Sequence, residues 1–197
     1  MEMGNSSDVG MRIDNDIFTL PSTLRIPIQH MSDLFDEGWV AGRGDCMFES
    51  ILQAASRIEQ CHPDLAVMCT RPRQEAIACL RALASDIIRR DREKFQPFHA
   101  NDEGIDFDQF CRDLRRPEGA WGRQLVLAAI SEHFRLAIYV FLNDRRGVAK
   151  LHVDGLDSTA PVIFLRCSGN VAAQHYTPLH LRRTGASLRR ICKTYGL

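Results

Sequence analysis

The 197-residue chain carries no net charge, with Lys+Arg 25 set against Asp+Glu 25. Without a global field there is no electrostatic argument for nucleic acid or an anionic membrane surface as partner. It has no apolar run near the roughly 20 residues that a membrane-spanning helix needs, so no membrane segment is expected. Residues 1–10 lack the basic and apolar regions of a secretory signal. The cysteines lack a pattern: seven is an odd number, and they are scattered at 46, 61, 69, 79, 111, 167 and 192. That fits neither a disulfide framework nor the paired short spacings of a structural zinc site. A reducing, cytoplasmic setting is expected, with no metal or other cofactor; a site at Cys61, His62 and Cys69 would be the exception.

What the chain does have is enough apolar residues, 45% of the total, to bury one core of ordinary size. Residues 1–30 read as an N-terminal extension, polar at first and then irregular around Pro21 and Pro27. Residues 31–181 read as the domain, and 182–197 as a basic tail or helix with Arg182, Arg183, Arg189, Arg190 and Lys193. Ser32 is placed to cap a short helical turn through Phe35. The spacing of Phe48, Ile51, Leu52 and Ala55 predicts a helix with one apolar face starting at Cys46. A loop at Cys61-His62-Pro63 follows. Thr70 and Pro72 predict the start of the longest helix, with Ile77, Leu80, Leu83, Ile87 and Ile88 as its apolar stripe, Arg and Asp opposite, and an end before Pro97. Phe107, Phe110 and Leu114 predict a short helix, and Leu125 to Phe134 another. Then the period changes. Residues 136–142 form an apolar, β-branched and aromatic run expected to be a strand buried on both faces. Val148–Val153 would pair back on it, Pro161–Leu165 would add a strand, and His175 would sit at the edge of a further one. The fold class is therefore α+β.

The stretch Gly42-Arg43-Gly44-Asp45-Cys46 places a thiol just after two glycines and at the start of a helix. Glycines permit positive φ and close approach of other groups. A helix N-terminus offers unpaired N–H groups and a positive dipole end, which favour thiolate over thiol and suit a developing oxyanion. A cysteine so placed is a candidate nucleophile, though it is equally a small core hydrophobe when taken alone. A distant imidazole can take its proton and return it to a leaving amine. Of the seven histidines, His175, beside a Gly/Asn turn, is the one best placed to project into a cleft.

Three landmarks, Gly44-Asp45-Cys46-Met47-Phe48, Trp121-Gly122 before a helix and strand, and Gln174-His175-Tyr176 after a strand, occur in this order. Together they resemble the ovarian-tumour (OTU) family of cysteine deubiquitinases over approximately residues 33–179. The resemblance implies a papain-like fold, a small mixed sheet flanked by helical lobes. It implies hydrolysis of the bond after the C-terminal glycine of ubiquitin, with Cys46 as nucleophile, His175 as base and then acid, and backbone N–H groups of Arg43, Gly44 and Asp45 around the oxyanion. Ubiquitin, polyubiquitin or a ubiquitin-like modifier would be the partner. Trp121 would support the site or be an ordinary core aromatic. The chain departs from the family at two places. Arg43 stands where the family has Asp, and Thr177 where it commonly has Asn or Asp. Arg43 is either a guanidinium favouring thiolate and oxyanion or a solvent-facing surface residue. The third catalytic member is left open among Thr177, Asn170, Asp14, Asp16 and none. These departures also admit an inactive ubiquitin-binding module. Divergence outside the landmarks suggests a viral or pathogen protein acting in a host cytosol.

Overall fold

In the computed structural model, which describes Ser32 and residues 34–99, 106–144, 147–149, 160–169 and 174–182, helices fill the middle of the chain and strands its end. The elements run β1 (Phe35–Glu37), α1 (Cys46–Ala55), α2 (Pro63–Cys69), α3 (Arg73–Arg90), α4 (Arg92–His99), α5 (Phe107–Leu114), α6 (Gln124–Phe134), β2 (Ala137–Asp144), β3 (Gly147–Ala149), β4 (Val162–Ser168) and β5 (His175–Leu181). The expected 1–30 extension, with Asp14 and Asp16, lies outside the described residues, as do Asn170 and all of the basic tail beyond Arg182.

The strands form one mixed sheet in the order β1-β5-β4-β2-β3. β2 and β4 run parallel and the other neighbours antiparallel. Its central parallel pair is apolar on both faces, as parallel strands covered on both sides must be. Ile138, Val140, Ile163, Leu165 and Cys167 join the main core with the helices. Phe35, Phe141, Phe164 and Leu179 make a second cluster, in which Phe35 and Phe164 have ring centroids 5.0 Å apart.

α1 is the centre of the molecule. The spacing predicted one apolar face, but the helix is buried nearly all round, Glu49 and Ser50 included. It is covered by β4 and β5 on one side and by α2 and α3 on another. Glu49 tolerates this because its carboxylate pairs with Arg73 and accepts from the Gln53 amide.

Three boundaries differ from expectation. Phe35 leaves the helical turn of Ser32 and Leu34 and enters a strand, because its partner Leu181 lies across the ladder. The Cys61-His62-Pro63 loop runs straight into α2, with His62 Nδ1 capping the Asp64 N–H at 3.3 Å and Pro63 at the first position. Thr70 ends α2 instead of opening α3, whose N-cap is Pro72. The longest helix ends before Pro97 as expected, stopping at Arg90 because Asp91 turns to φ -100 and ψ 43; a second helix then accepts Pro97 within its last turn.

Candidate active site

The segment joining β1 to α1 is held at both ends. The Gly38 N–H donates to the Pro178 carbonyl at 2.8 Å, and the Cys46 N–H to the Arg43 carbonyl at 3.0 Å. The Arg43 N–H is also engaged, donating to Ala41 O at 2.8 Å. The amides of Gly44 and Asp45 have no acceptor among the described residues. Gly44 is glycine because of crowding and not because of φ: a Cβ there would lie 3.2 Å from the Glu118 backbone. At Gly42 a Cβ would stand 3.9 Å from His175 Nδ1, which places the imidazole against this loop.

Cys46 opens α1 and is 3% exposed. Its Sγ lies 4.0 Å from the carbonyl oxygen of Gln174, the residue before His175. The dipole argument predicted a depressed thiol pKa; the structure reverses it. Burial pushes the Cys46 thiol up, and the adjacent Asp45 carboxylate adds to the rise. The N–H groups of Tyr176, Met47 and Cys46 itself pull the other way without offsetting it. The balance favours the protonated thiol.

His175 is the first residue of β5 and sits opposite Ser168 in the ladder. Its Nδ1 is buried and has no hydrogen-bond partner among the described residues. Thr177, next on the same strand face, donates its hydroxyl to Glu37 Oε1 at 2.5 Å. Glu37 also accepts from Arg166 at 2.6 Å. Between them on the other face, Tyr176 shares a hydrogen bond with Cys167, whose thiol burial pushes up to about 11.

Asp45 is the N-cap of α1, yet its side chain caps nothing. Its Oδ1 instead accepts from Arg81 at 2.9 Å and from the Glu118 N–H at 3.2 Å. Arg81 belongs to the arginines expected opposite the apolar stripe of α3, yet it is fully buried. The same guanidinium donates to Gly44 O at 3.3 Å and Ala120 O at 2.9 Å and lies 4.7 Å from the centre of the Phe48 ring. The spacing carried the signal, since 77, 80, 81, 84 and 88 fall on one helix face. Arg43 points outward, 74% exposed, with Glu118 at 3.4 Å.

Trp121 is 43% exposed, so its reading as a core aromatic does not hold. The close fit belongs to its neighbour: a Cβ on Gly122 would come within 2.1 Å of Met47 Cε. Trp39, in the segment before Cys46, is more exposed still. Among the described residues no group of three or more His, Cys, Asp or Glu could hold a metal. Cys69 Sγ contacts Leu52 O at 3.5 Å and His62 caps α2, so the Cys61, His62, Cys69 site does not form. No described helix is long and apolar enough to cross a membrane.

A thiol at the start of a buried helix, an imidazole at the start of a strand, and helices followed by a small mixed sheet define a papain-like α+β fold. The chain belongs to the family described as OTU-like cysteine protease, whose sequence model matches residues 41–176. The Hazara virus OTU bound to ubiquitin superposes with a TM-score of 0.57 at 18% identity, covering 78% of this chain and 86% of that one. The viral OTU domain protease of Taggert virus gives 0.57 at 16% identity, covering 84% and 92%. The OTU domain of OTUD1 gives 0.53 at 17% identity, covering 74% and 85%. No curated protein matches in sequence.

Proposed function

We propose that this protein is a thiol-dependent deubiquitinase that cleaves the bond after the C-terminal glycine of ubiquitin. The observation that carries the reading is the contact of Cys46 Sγ with Gln174 O, which brings the thiol beside the residue preceding His175. The Hazara virus protein of the same fold is bound to ubiquitin, which supports that modifier as substrate.

Because burial favours the protonated thiol, His175 works as a general base during attack rather than as one half of a standing ion pair. Nδ1, buried against the Gly42 loop and unpartnered, is the nitrogen available to take the Cys46 proton. The sulfur adds to the carbonyl carbon, and the oxyanion is met by the Gly44 and Asp45 amides, which no described carbonyl engages. His175 then protonates the leaving amine, and with its help water hydrolyses the thioester. Thr177 is the third member: its proton goes to Glu37, which leaves its lone pairs free to accept from the imidazole. Trp121 supports the site through its neighbour Gly122, which packs closely on Met47 of α1.

The test is incubation with ubiquitin bearing a thiol-reactive group at its C-terminus, followed by intact mass, with Cys46→Ala alongside. An adduct on the wild type alone is the expected result. Binding without an adduct would mean an interaction module, and no binding would remove ubiquitin as the partner. Cys46→Ala is expected to fold, since it trades one small buried group for another.

A further inference from the structure

We propose that Arg81 is a positioning residue for the nucleophile: it fastens the Gly44-Asp45 loop to the 118–120 turn and neutralises the Asp45 carboxylate beside the thiol. It deepens the reading above, acting on the same cysteine, and it enters from α3, an element that otherwise contributes only packing to the site.

The case begins with what the guanidinium touches. One nitrogen bridges Gly44 O and Asp45 Oδ1, and another reaches Ala120 O. Asp45 in turn binds the Glu118 N–H, so one carboxylate and one guanidinium join the two loops that meet at Gly44. A planar fork can hold three acceptors at once, which an ammonium on a flexible stem does poorly. Fixing the Gly44 carbonyl fixes the peptide plane whose N–H lies on Asp45, one of the two amides offered to the oxyanion.

Folding alone does not ask for this arrangement. Arg81 is fully buried, its Nε has no partner among the described residues, and burial pushes its pKa down against the pull of Asp45. Buried ion pairs are often replaceable by apolar residues without loss of stability. Glu118, bound by the same carboxylate, stands at φ 52, in the left-handed region that glutamate rarely adopts. Two costs converge on the loop that carries the thiol, as happens where structure is held for function.

The electrostatic half follows from position. Asp45 raises the Cys46 pKa, and the paired guanidinium limits how far. The other groups that act on the sulfur are Tyr176 from β5 and Cys167 from β4, with Glu49 one turn along α1 already paired with Arg73, and His175 follows the Gln174 carbonyl that Sγ contacts.

The experiment is iodoacetamide alkylation of Cys46 as a function of pH, read by peptide mass so that the other cysteines do not intrude. It needs no ubiquitin, so its failure is separate from failure of the proposed substrate. Arg81→Met leaves Asp45 uncompensated, and the rise of the rate with pH is expected about one pH unit higher. Asp45→Asn removes the acid and leaves Arg81 charged, so the rise moves lower. The double variant returns it to the wild-type position. A merely structural Arg81 would lower the melting temperature, leave the Arg81→Met curve in place and leave the double variant where Asp45→Asn alone puts it, which overturns the proposal. Should Arg81→Met fail to fold, Arg81→Gln, which keeps an N–H donor for the loop carbonyls but carries no charge, takes its place: an upward move of the curve supports the neutralised pair, and an unmoved curve refutes it.

Discussion

The nucleophile and the histidine are held to unequal degrees. On the cysteine side, Asp45 accepts from Arg81 and the Glu118 N–H, Arg81 grips two further carbonyls, and a Cβ would be crowded at Gly44 and would collide at Gly122. On the histidine side, Nδ1 is without a described partner, and the nearest polar network, Thr177-Glu37-Arg166, is partly exposed. On the proposed mechanism, the loop that would meet the oxyanion is built before substrate arrives, whereas the imidazole completes its geometry when the cleft is filled. Apo hydrogen bonds at catalytic bases are often long for this reason.

The largest effect that could break this comparison comes from His175→Ala. A lightly held residue can still carry the chemistry: burial favours the protonated Cys46 thiol, so the proposed attack needs a base. Turnover of a fluorogenic ubiquitin substrate is expected to fall by about 10²- to 10⁴-fold, the usual worth of a positioned base. Turnover within a few fold of wild type would move the base elsewhere.

A smaller effect sharpens the comparison on the histidine side. Thr177→Val removes the hydroxyl that Glu37 holds, and kcat/KM is expected to drop about tenfold, the upper end of one neutral hydrogen bond. Glu37→Gln should drop it less, because the Thr177 hydroxyl still finds an oxygen. Thr177→Asn, which installs the residue type common in the family, keeps or raises the rate. Melting temperatures should barely move, since surface ion pairs such as Arg166 with Glu37 contribute about 0–1 kcal/mol. If Thr177→Val turns over like wild type, Thr177 is not the third member, and Asp14→Ala, Asp16→Ala and Asn170→Ala decide between an acid or amide elsewhere and a bare Cys–His dyad.

The same contrast governs what could be read from the chain beforehand. Cys46, Trp121-Gly122 and His175 stand in local patterns, glycines before a helix and a strand after a turn, which a linear reading detects. β1 is three residues long and owes its strand character to Leu181, Leu179 and His180 across the ladder, more than 140 positions away. Such a pairing leaves no periodic trace. Arg81 is a different kind of miss. Its spacing put it on the core face, but charged residues are almost never fully buried, and residue type overrode position. Glu37 and Glu118 are polar residues in short exposed segments, and only the fold brings them to Thr177 and Asp45.

Arg43 gives the smallest expected effect and the cleanest check on which charge matters. It is the conspicuous departure from the family pattern, a cation where an acid is usual, three residues before the thiol. The structure turns it outward, 74% exposed, toward a Glu118 carboxylate that is itself 57% exposed. A pair so hydrated contributes about 0–1 kcal/mol and is screened by salt. Its backbone N–H is already bound to Ala41 O, so the side chain is all that a substitution removes. Arg43→Ala is therefore expected to change kcat/KM by less than about threefold and to leave the pH dependence of Cys46 alkylation in place. A shift of that curve comparable to the one sought with Arg81→Met would mean that the exposed guanidinium, and not the buried one, sets the field at the sulfur.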